Sequence, residues 1–141
     1  LVNPGEGDAI CEESVEVEVA TLHRWSDGIV EVSMNDGSRV TLELFEELLV
    51  AQESITPKMA AILVDARGTK MMSRPALEAA ANNPVNDRTA ATAIVVKSAV
   101  STLLGNFFVR FARPPYPSRV FRDQNKAREW LLGKLAERLR E

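Results

Sequence analysis

The sequence predicts an α/β fold: a mixed β-sheet that begins with an N-terminal β-hairpin, continues as αβαβαβα and is covered by helices. Three observations predict this fold. Residues 15–19 alternate between apolar and polar side chains, which is the period of a half-buried strand, and we expect this strand to continue toward Leu22. Residues 59–65 and 92–96 are short apolar runs of the length of strands buried on both faces. Segments with apolar side chains three and four residues apart separate these runs, so strands and helices alternate along the chain.

The N-terminal hairpin is predicted from a strand pattern and two turn sequences. Residues 15–19 read Val-Glu-Val-Glu-Val, and β-branched side chains are common in strands. Residues 26–28 (Ser-Asp-Gly) and 35–37 (Asn-Asp-Gly) are predicted turns, because Asp, Asn and Gly accept the positive φ of tight hairpins. A second strand therefore lies between the two turns and begins at Ile29.

The first two helices are predicted from their capping residues. Thr41 precedes an amphipathic helix that ends near Pro57, and its hydroxyl suits the N-cap position. Ser73 is predicted to cap a second helix that ends at residues 82–84, with Pro75 in the first turn. Residues 66–69, which follow the strand 59–65, are predicted to form a loop.

The last part of the chain is predicted to contain two helices and one strand. A third helix runs over residues 98–112, and residues 118–121 form a final edge strand. Asp123 caps a closing helix that extends to about Arg138. Trp130 lies at the centre of that helix, so we expect its side chain to be buried against the sheet.

Length and composition indicate one globular domain with an unstructured start. The chain has 141 residues, of which 45% are hydrophobic and 26% charged. Residues 1–13 combine Pro, two Gly and four acidic side chains with few apolar ones, so we expect a disordered acidic tail there and a single domain over residues 14–141. Cys11 has no second Cys to pair with, and no signal-peptide pattern is present. We therefore expect a cytoplasmic protein.

Few residues of this chain are suited to metal binding or covalent catalysis. There is one His and one Cys, and no carboxylates have the spacing of metal ligands. No nucleophile lies in a recognisable catalytic motif, and no Gly-rich phosphate loop is present. We therefore expect no metal, no cofactor and no enzymatic activity, and we interpret His23 as a structural or exposed side chain.

The loop after the strand 59–65 is a candidate ligand site. Asp65 ends that strand, and ligands of open α/β sheets bind at the carboxyl ends of strands. Arg67 and Gly68 follow it and belong to the same candidate site. The alternative interpretation is structural, with the Asp65 carboxylate accepting hydrogen bonds from loop amides such as those of Gly68 or Thr69.

The third helix has more apolar side chains than one sheet face requires. At 100° per residue, Leu104, Phe107, Phe108 and Phe111 form one stripe. Three explanations remain open: packing inside the domain, a homodimer contact, and insertion into a membrane surface. We predict a symmetric homodimer with this helix, or the stretch Pro114–Phe121, at or near the two-fold axis. The basic side chains that follow the stripe include Arg110 and Arg113. We expect them to lie at the rim of the dimer interface and to pair with acidic side chains of the second copy.

Nucleic-acid binding is not expected. The isoelectric point is about 5.3, and basic residues are concentrated in only one part of the chain. Residues 1–55 contain 13 acidic and 2 basic side chains, whereas residues 56–141 contain 7 acidic and 15 basic ones. The aromatic side chains near the basic stretch follow the pattern of a protein core.

Several segments resemble STAS domains, the family named after sulphate transporters and anti-sigma-factor antagonists. The likeness covers roughly residues 15–135. More narrowly, the chain resembles the bacterial, sporulation-antagonist-like branch, whose fold is related to CRAL-TRIO lipid-exchange domains. The residues that carry it are Ala81-Asn82-Asn83-Pro84, Gly105-Asn106-Phe107-Phe108, Pro115-Tyr116-Pro117-Ser118-Arg119-Val120-Phe121 and Ala127-Arg128-Glu129-Trp130-Leu131. The resemblance implies that residues 14–141 form one STAS-like domain.

The resemblance also implies a mode of regulation. In the antagonist branch, a partner kinase phosphorylates a serine at the start of the helix that follows a central strand. The Asp-Ser pair of that branch is missing here, and the corresponding positions for phosphorylation are Ser73 and Thr69.

Two functions follow from these observations. The first is a non-enzymatic interaction and regulatory module that acts through protein partners. The second is a small binding domain for an apolar or lipid ligand, which the apolar third helix and the arginines after it could hold at a membrane surface. An internal apolar cavity that faces Phe107 and Phe111 would favour the second function, and a flat self-complementary patch would favour the first.

Overall fold

The computed structural model describes residues 9–80, 85–112 and 114–141, apart from the side chains of Val100, Phe111 and Ala112. A 3-10 turn over Asn86–Arg88 precedes the seventh strand, and a π-helical turn over Phe108–Ala112 continues the third helix. The strands and helices, in chain order, are β1 (Cys11–Glu16), β2 (Ala20–Trp25), β3 (Ile29–Met34), β4 (Ser38–Val40), α1 (Leu42–Ile55), β5 (Ala60–Asp65), β6 (Thr69–Met72), α2 (Arg74–Ala79), β7 (Thr89–Val95), α3 (Ala99–Phe107), β8 (Ser118–Phe121) and α4 (Gln124–Leu139).

Six strands form one mixed sheet in the order β1-β2-β3-β5-β7-β8. The first three strands are antiparallel neighbours, and β3, β5, β7 and β8 pair in parallel. Strand β8 lies at one edge of the sheet, as predicted. The α/β fold with an N-terminal antiparallel hairpin is therefore confirmed.

Helices cover both faces of this sheet. Helix α4 packs on one face, where Leu131 is fully buried in a cluster with Leu63 and Val95. Helices α1 and α2 pack on the other face, where Phe45 and Ala76 belong to a second apolar cluster. Because β7 is central and covered on both sides, all seven of its residues are buried.

The predicted helix caps are confirmed. Thr41 Oγ1 accepts a hydrogen bond from the Leu44 amide at 3.3 Å, and Ser73 Oγ accepts one from the Ala76 amide at 3.3 Å. Asp123 Oδ1 accepts one from the Lys126 amide at 3.1 Å. Each cap satisfies an amide that the helix itself leaves without a partner.

A second, two-stranded sheet joins β4 to β6, and the loop predicted over residues 66–69 is therefore shorter than expected. The backbone carbonyl of Gly68 accepts hydrogen bonds from Gly37 N at 2.7 Å and Ser38 N at 3.2 Å. A Cβ atom at Gly68 would lie 2.7 Å from the carbonyl oxygen of Asn35. Gly68 thus allows two stretches of backbone to approach each other.

The disordered tail predicted over residues 1–13 is wrong for residues 9–13. Residues 11–13 belong to β1, which pairs with β2, and Ala9 is buried in the cluster that contains Trp25. Ile10 is held at both backbone atoms: its amide donates to Ser26 Oγ, and its carbonyl accepts from the Ser26 amide. Acidic composition is compatible with an edge strand, because one face of such a strand meets water. Residues 1–8 lie outside the described part of the chain.

The single strand predicted over residues 15–22 is also wrong. The chain reverses at residues 17–19, where the Val17 amide donates to the Ala20 carbonyl at 3.0 Å. Val15 consequently lies opposite Leu22 on the neighbouring strand, on the same face of the sheet. The apolar alternation changes phase at the turn, because Val19 and Ala20 are adjacent apolar residues.

Two helix predictions changed in detail. Helix α2 ends at Ala79, and its predicted end at residues 82–84 lies outside the described residues. Trp130 is only partly buried, with its ring centroid 5.6 Å from that of Phe121.

Within the described residues, no helix combines the length and the apolar character that crossing a membrane requires.

Candidate functional site

An apolar cavity of about 130 Å³ lies between the sheet and the helices α1, α2 and α3. Strands β3, β5 and β7 form its floor with side chains that point to the α1 face of the sheet. The described residues that line it are Val32, Met34, Val40, Phe45, Leu48, Gln52, Ile62, Val64, Ala66, Thr69, Met72, Leu77, Ala80, Thr92, Ile94, Leu104, Gly105, Phe107, Phe108 and Tyr116.

Helix α3 closes one side of the cavity because Gly105 brings its backbone close to the sheet. A Cβ atom at Gly105 would lie 3.3 Å from both Val120 Cγ2 and Val96 Cγ1, which is tighter than ordinary packing. The helix begins with a capping box in which the side chains of Ser98 and Ser101 satisfy each other's backbone amides. Close approach and a fixed start together determine which α3 side chains reach the cavity.

The apolar stripe of α3 lies at this cavity. Leu104, Phe107 and Phe108 line it and are only partly buried. Among the candidate interface residues, Arg110 is exposed in the π-helical turn. The Phe111 side chain and Arg113 lie outside the described residues. Their expected role in an interface therefore stays a prediction.

Polar groups are sparse among the described lining residues and none of them is charged. The four polar side chains are those of Gln52, Thr69, Thr92 and Tyr116. Burial raises the pKa of Tyr116, and a hydrogen bond with the Thr92 side chain opposes part of that rise. Tyr116 therefore stays protonated at neutral pH. The cavity offers hydrogen bonds from uncharged groups in an otherwise apolar wall.

The predicted loop site at Asp65, Arg67 and Gly68 is an internal ion pair. Asp65 Oδ1 accepts hydrogen bonds from the Arg67 amide at 3.1 Å and Nε at 2.9 Å, and Oδ2 accepts from Nη2 at 2.8 Å. Arg67 Nη2 also donates to Gln124 Oε1 at 2.9 Å, which connects the loop to the start of α4. Asp65 therefore binds a loop amide, as the structural interpretation predicts. That amide belongs to Arg67 rather than to Gly68 or Thr69.

Charge and burial act in opposite directions on this pair. Burial tends to raise the pKa of the Asp65 carboxyl, but the hydrogen bonds and charge of Arg67, with the charge of Lys97, lower it overall. The hydrogen bond from Asp65 is the main cause of the raised pKa of Arg67. Both carboxylate oxygens of Asp65 are therefore occupied by Arg67 in the folded state.

The two predicted phosphorylation positions differ in accessibility. Thr69 is buried and lines the cavity, so a kinase cannot reach its hydroxyl in the folded domain. Ser73 is partly exposed and accepts a hydrogen bond from the Ala76 amide as the N-cap of α2. Phosphorylation of Ser73 stays a prediction.

Sequence reasoning missed a polar cluster on the α4 face of the sheet. Trp25 Nε1 donates to Glu31 Oε1 at 2.9 Å, and the buried Arg128 side chain forms an ion pair with Asp27. Arg128 also lies over the Trp25 ring, with 5.9 Å between Cζ and the ring centroid. The spacing of the apolar residues in α4 does not predict the contact between Arg128 and Asp27, because Arg128 is charged and yet is buried among those apolar residues.

The only histidine of the chain lies in a small group of polar side chains on the β1–β2 hairpin. Ser14 Oγ is 2.7 Å from His23 Nδ1, and Cys11 Sγ is 3.6 Å from the same nitrogen. His23 also contacts the Trp25 ring, with 5.9 Å between centroids. Within the described residues, no three His, Cys, Asp or Glu side chains are grouped as metal ligands would be.

Comparison with solved structures shows the same fold. A crystal structure of an uncharacterized protein from the DUF3478 family, from Shewanella loihica PV-4, has a SpoIIAA-like fold and a TM-score of 0.54 to this chain. The two are 15% identical, and the match covers 87% of this chain and 93% of the other. The resemblance to STAS-like, sporulation-antagonist-like proteins is thereby confirmed for the fold.

Sequence comparison identifies the family. No curated protein matches this chain. The model of a domain of unknown function, DUF7793, matches residues 23–133. Because that match covers more than half of the chain, this protein belongs to the DUF7793 family.

Proposed function

We propose that this domain is a non-enzymatic binding module for a small apolar ligand, which occupies the cavity beneath α3. The observation that carries the proposal is the cavity itself, with its apolar wall and a few uncharged polar groups. Such a lining is typical of small-molecule sites in proteins. An apolar cavity of about 150 Å³ is known to stay dry and to bind a molecule such as benzene, and the present volume is close to that.

Dispersion contacts support this proposal. A ligand in this space would contact the apolar side chains that line it, and such contacts are individually small but collectively large. Binding should therefore stabilise the folded domain as well as occupy the site.

The proposal also accounts for the composition of α3. Leu104, Phe107 and Phe108 line the cavity and are only partly buried, although Phe108 also packs against the cluster that contains Ile94. A ligand would cover the part of their aromatic and aliphatic surface that the domain leaves uncovered. The excess of apolar residues in a helix on a sheet then has a functional reason.

Titration with cyclohexane, followed by methyl NMR, tests the proposal. The methyl groups of Ile62 and Ile94 line the cavity and should shift with a saturable dependence on cyclohexane concentration. Leu104→Trp should weaken this binding at least 10-fold, because the larger side chain occupies the space of the ligand. Such overpacking can cost about 1–3 kcal/mol of stability, so each variant is first checked by thermal unfolding.

Leu103→Trp is the matched control. Leu103 precedes Leu104 on the same helix but is 70% exposed, so its replacement should leave cyclohexane affinity within about 2-fold. If the wild-type methyl signals do not shift up to the solubility limit of cyclohexane, the cavity does not bind apolar molecules and the proposal is wrong. Equal weakening by both substitutions would contradict the assigned location.

Regulation through protein partners, with a homodimer as the simplest form, is the second candidate function. It is favoured by Leu103, a large apolar side chain that is 70% exposed on α3. Arg110 is also exposed in the turn that continues this helix, where it could pair with an acidic side chain of a second copy. This function and ligand binding use different α3 side chains, so one protein can have both.

A further inference from the structure

The polar groups of the cavity determine which apolar molecules suit it. Thr92 is 3% exposed in the middle of β7, next to Ile62 of β5 in the sheet register. Tyr116 lies in the segment between α3 and β8, within reach of the Thr92 side chain. Both residues line the cavity, as do the polar side chains of Gln52 and Thr69, and the other described lining residues are apolar.

A count of hydroxyl protons shows what this pair offers. Two hydroxyl groups carry two protons, and a hydrogen bond between the two groups can use only one of them. The second proton can then be donated to an oxygen of a bound molecule. Because the phenol of Tyr116 is protonated at neutral pH, this donor is present under ordinary conditions.

The same wall disfavours a charged ligand. The described lining residues include no Arg, Lys or His that would pair with an anion, and no Asp or Glu that would pair with a cation. Transfer of an ionised carboxylate, phosphate or ammonium group from water into such surroundings is strongly unfavourable. A ligand with an ionised head group would have to keep that group outside the cavity.

We propose that the ligand of this cavity is a neutral, mainly hydrocarbon molecule with one carbonyl or hydroxyl oxygen, which accepts a hydrogen bond from the Thr92–Tyr116 pair. The cavity volume matches a molecule of about six to eight non-hydrogen atoms, or a segment of that size from a longer one. This inference rests on the proposed binding function and names its ligand class.

Three six-membered-ring probes with six or seven non-hydrogen atoms test the inference: cyclohexane, cyclohexanone and cyclohexylammonium at pH 7. Affinities are measured by methyl NMR titration for the wild type, Tyr116→Phe, Thr92→Val and the double variant. Each substitution removes one hydroxyl while the side chain keeps nearly the same shape, so only the double variant lacks both donors. We expect cyclohexanone to bind about 10-fold more weakly to the double variant, because a buried carbonyl then lacks its donor.

The other two probes separate the possible outcomes. Cyclohexane affinity should change by less than about 2-fold in all variants, since a hydrocarbon makes no hydrogen bond. Cyclohexylammonium should not shift the Ile62 and Ile94 methyl signals at millimolar concentration. Thermal unfolding establishes that each variant is folded. If the double variant does not fold, the comparison of cyclohexanone with cyclohexylammonium in the wild type still tests the neutral ligand class.

Two results would overturn the inference and leave the binding function standing. One is an unchanged ratio of cyclohexanone to cyclohexane affinity in the double variant, which would mean that the hydroxyl pair does not contact the ligand. The other is ammonium binding as strong as ketone binding, which would contradict the neutral ligand class. Absence of binding for all three probes would instead show that the proposed function itself is wrong.

Discussion

Arg128 of α4 and Asp27 of the β2–β3 turn form a buried ion pair, although 101 positions separate them in the sequence. The Arg128 side chain is 4% exposed and that of Asp27 is 20% exposed. Asp27 also accepts a hydrogen bond from the Ile29 amide at 3.2 Å, which helps to shape the turn. The pair therefore connects the C-terminal helix to the N-terminal hairpin.

Arg128→Met should lower the free energy of unfolding by about 3 kcal/mol, because it leaves the Asp27 carboxylate without its cationic partner in a mostly buried position. Urea denaturation measures the change. Arg138→Met is the matched control on the same helix: Arg138 is 46% exposed, and its ion pair with Glu141 meets solvent. The control should cost less than about 1 kcal/mol. Equal losses for the two variants would show that the Arg128 pair contributes no more than a surface pair.

The stability contributed by Asp65 should depend on pH. Its pKa in the folded state is below the ordinary value of 3.8, so the contribution is present above the unfolded-state pKa and is lost as pH falls through the folded-state pKa. Asp65→Asn should therefore reduce stability at pH 7 by roughly 1–2 kcal/mol, a range that allows for the solvent exposure of Arg67.

Urea titrations of the wild type and Asp65→Asn between pH 7 and pH 2 check this expectation. The difference between the two proteins should be constant near neutral pH and should shrink below about pH 4. A difference that stays the same across the whole range would mean that the carboxylate charge is not what Arg67 recognises.

Gly68→Ala should destabilise the domain by roughly 1–3 kcal/mol, the usual range for overpacking. The new Cβ atom would lie within 2.9 Å of backbone atoms of Asn35 and Asp36, which cannot move as a side chain can. Gly133→Ala is the control, because nothing lies within 4 Å of its Cβ position in α4. That substitution should raise stability by about 0.5–1 kcal/mol through helix propensity. The midpoints of thermal unfolding should thus shift in opposite directions, and a shift in the same direction would contradict the backbone contact at Gly68.

Self-association, if it uses α3, should depend on Leu103. Sedimentation equilibrium of the wild type up to high micromolar concentration is expected to show a dimer. Leu103→Glu should yield a folded monomer, because it places a charge in the apolar contact. Val50→Glu is the control, since Val50 is 69% exposed on α1 and should not affect association. A wild type that stays monomeric at these concentrations would exclude the homodimer.

Local features of this domain could be predicted because their interactions are short in sequence. Thr41, Ser73 and Asp123 each accept a hydrogen bond from an amide three residues later, so the residue type and its position are enough to recognise the cap. The buried strand β7 was recognised from its apolar run for a similar reason. No Gly or Asn marks the turn at residues 17–19, and the one local signal for it is the adjacent apolar pair Val19-Ala20, which breaks the alternation.

The sequence by itself determined the order of strands and helices, the capped helix starts and the scarcity of metal ligands and nucleophiles. Only the tertiary structure decided that Leu104 and Tyr116 share a cavity with Thr92, that Asp65 is held by Arg67, and that Arg128 pairs with Asp27. The physical reason is distance along the chain. Caps and periodicity depend on neighbours within one or two turns, whereas a cavity is the space left where separately formed helices and strands fail to fill the volume between them.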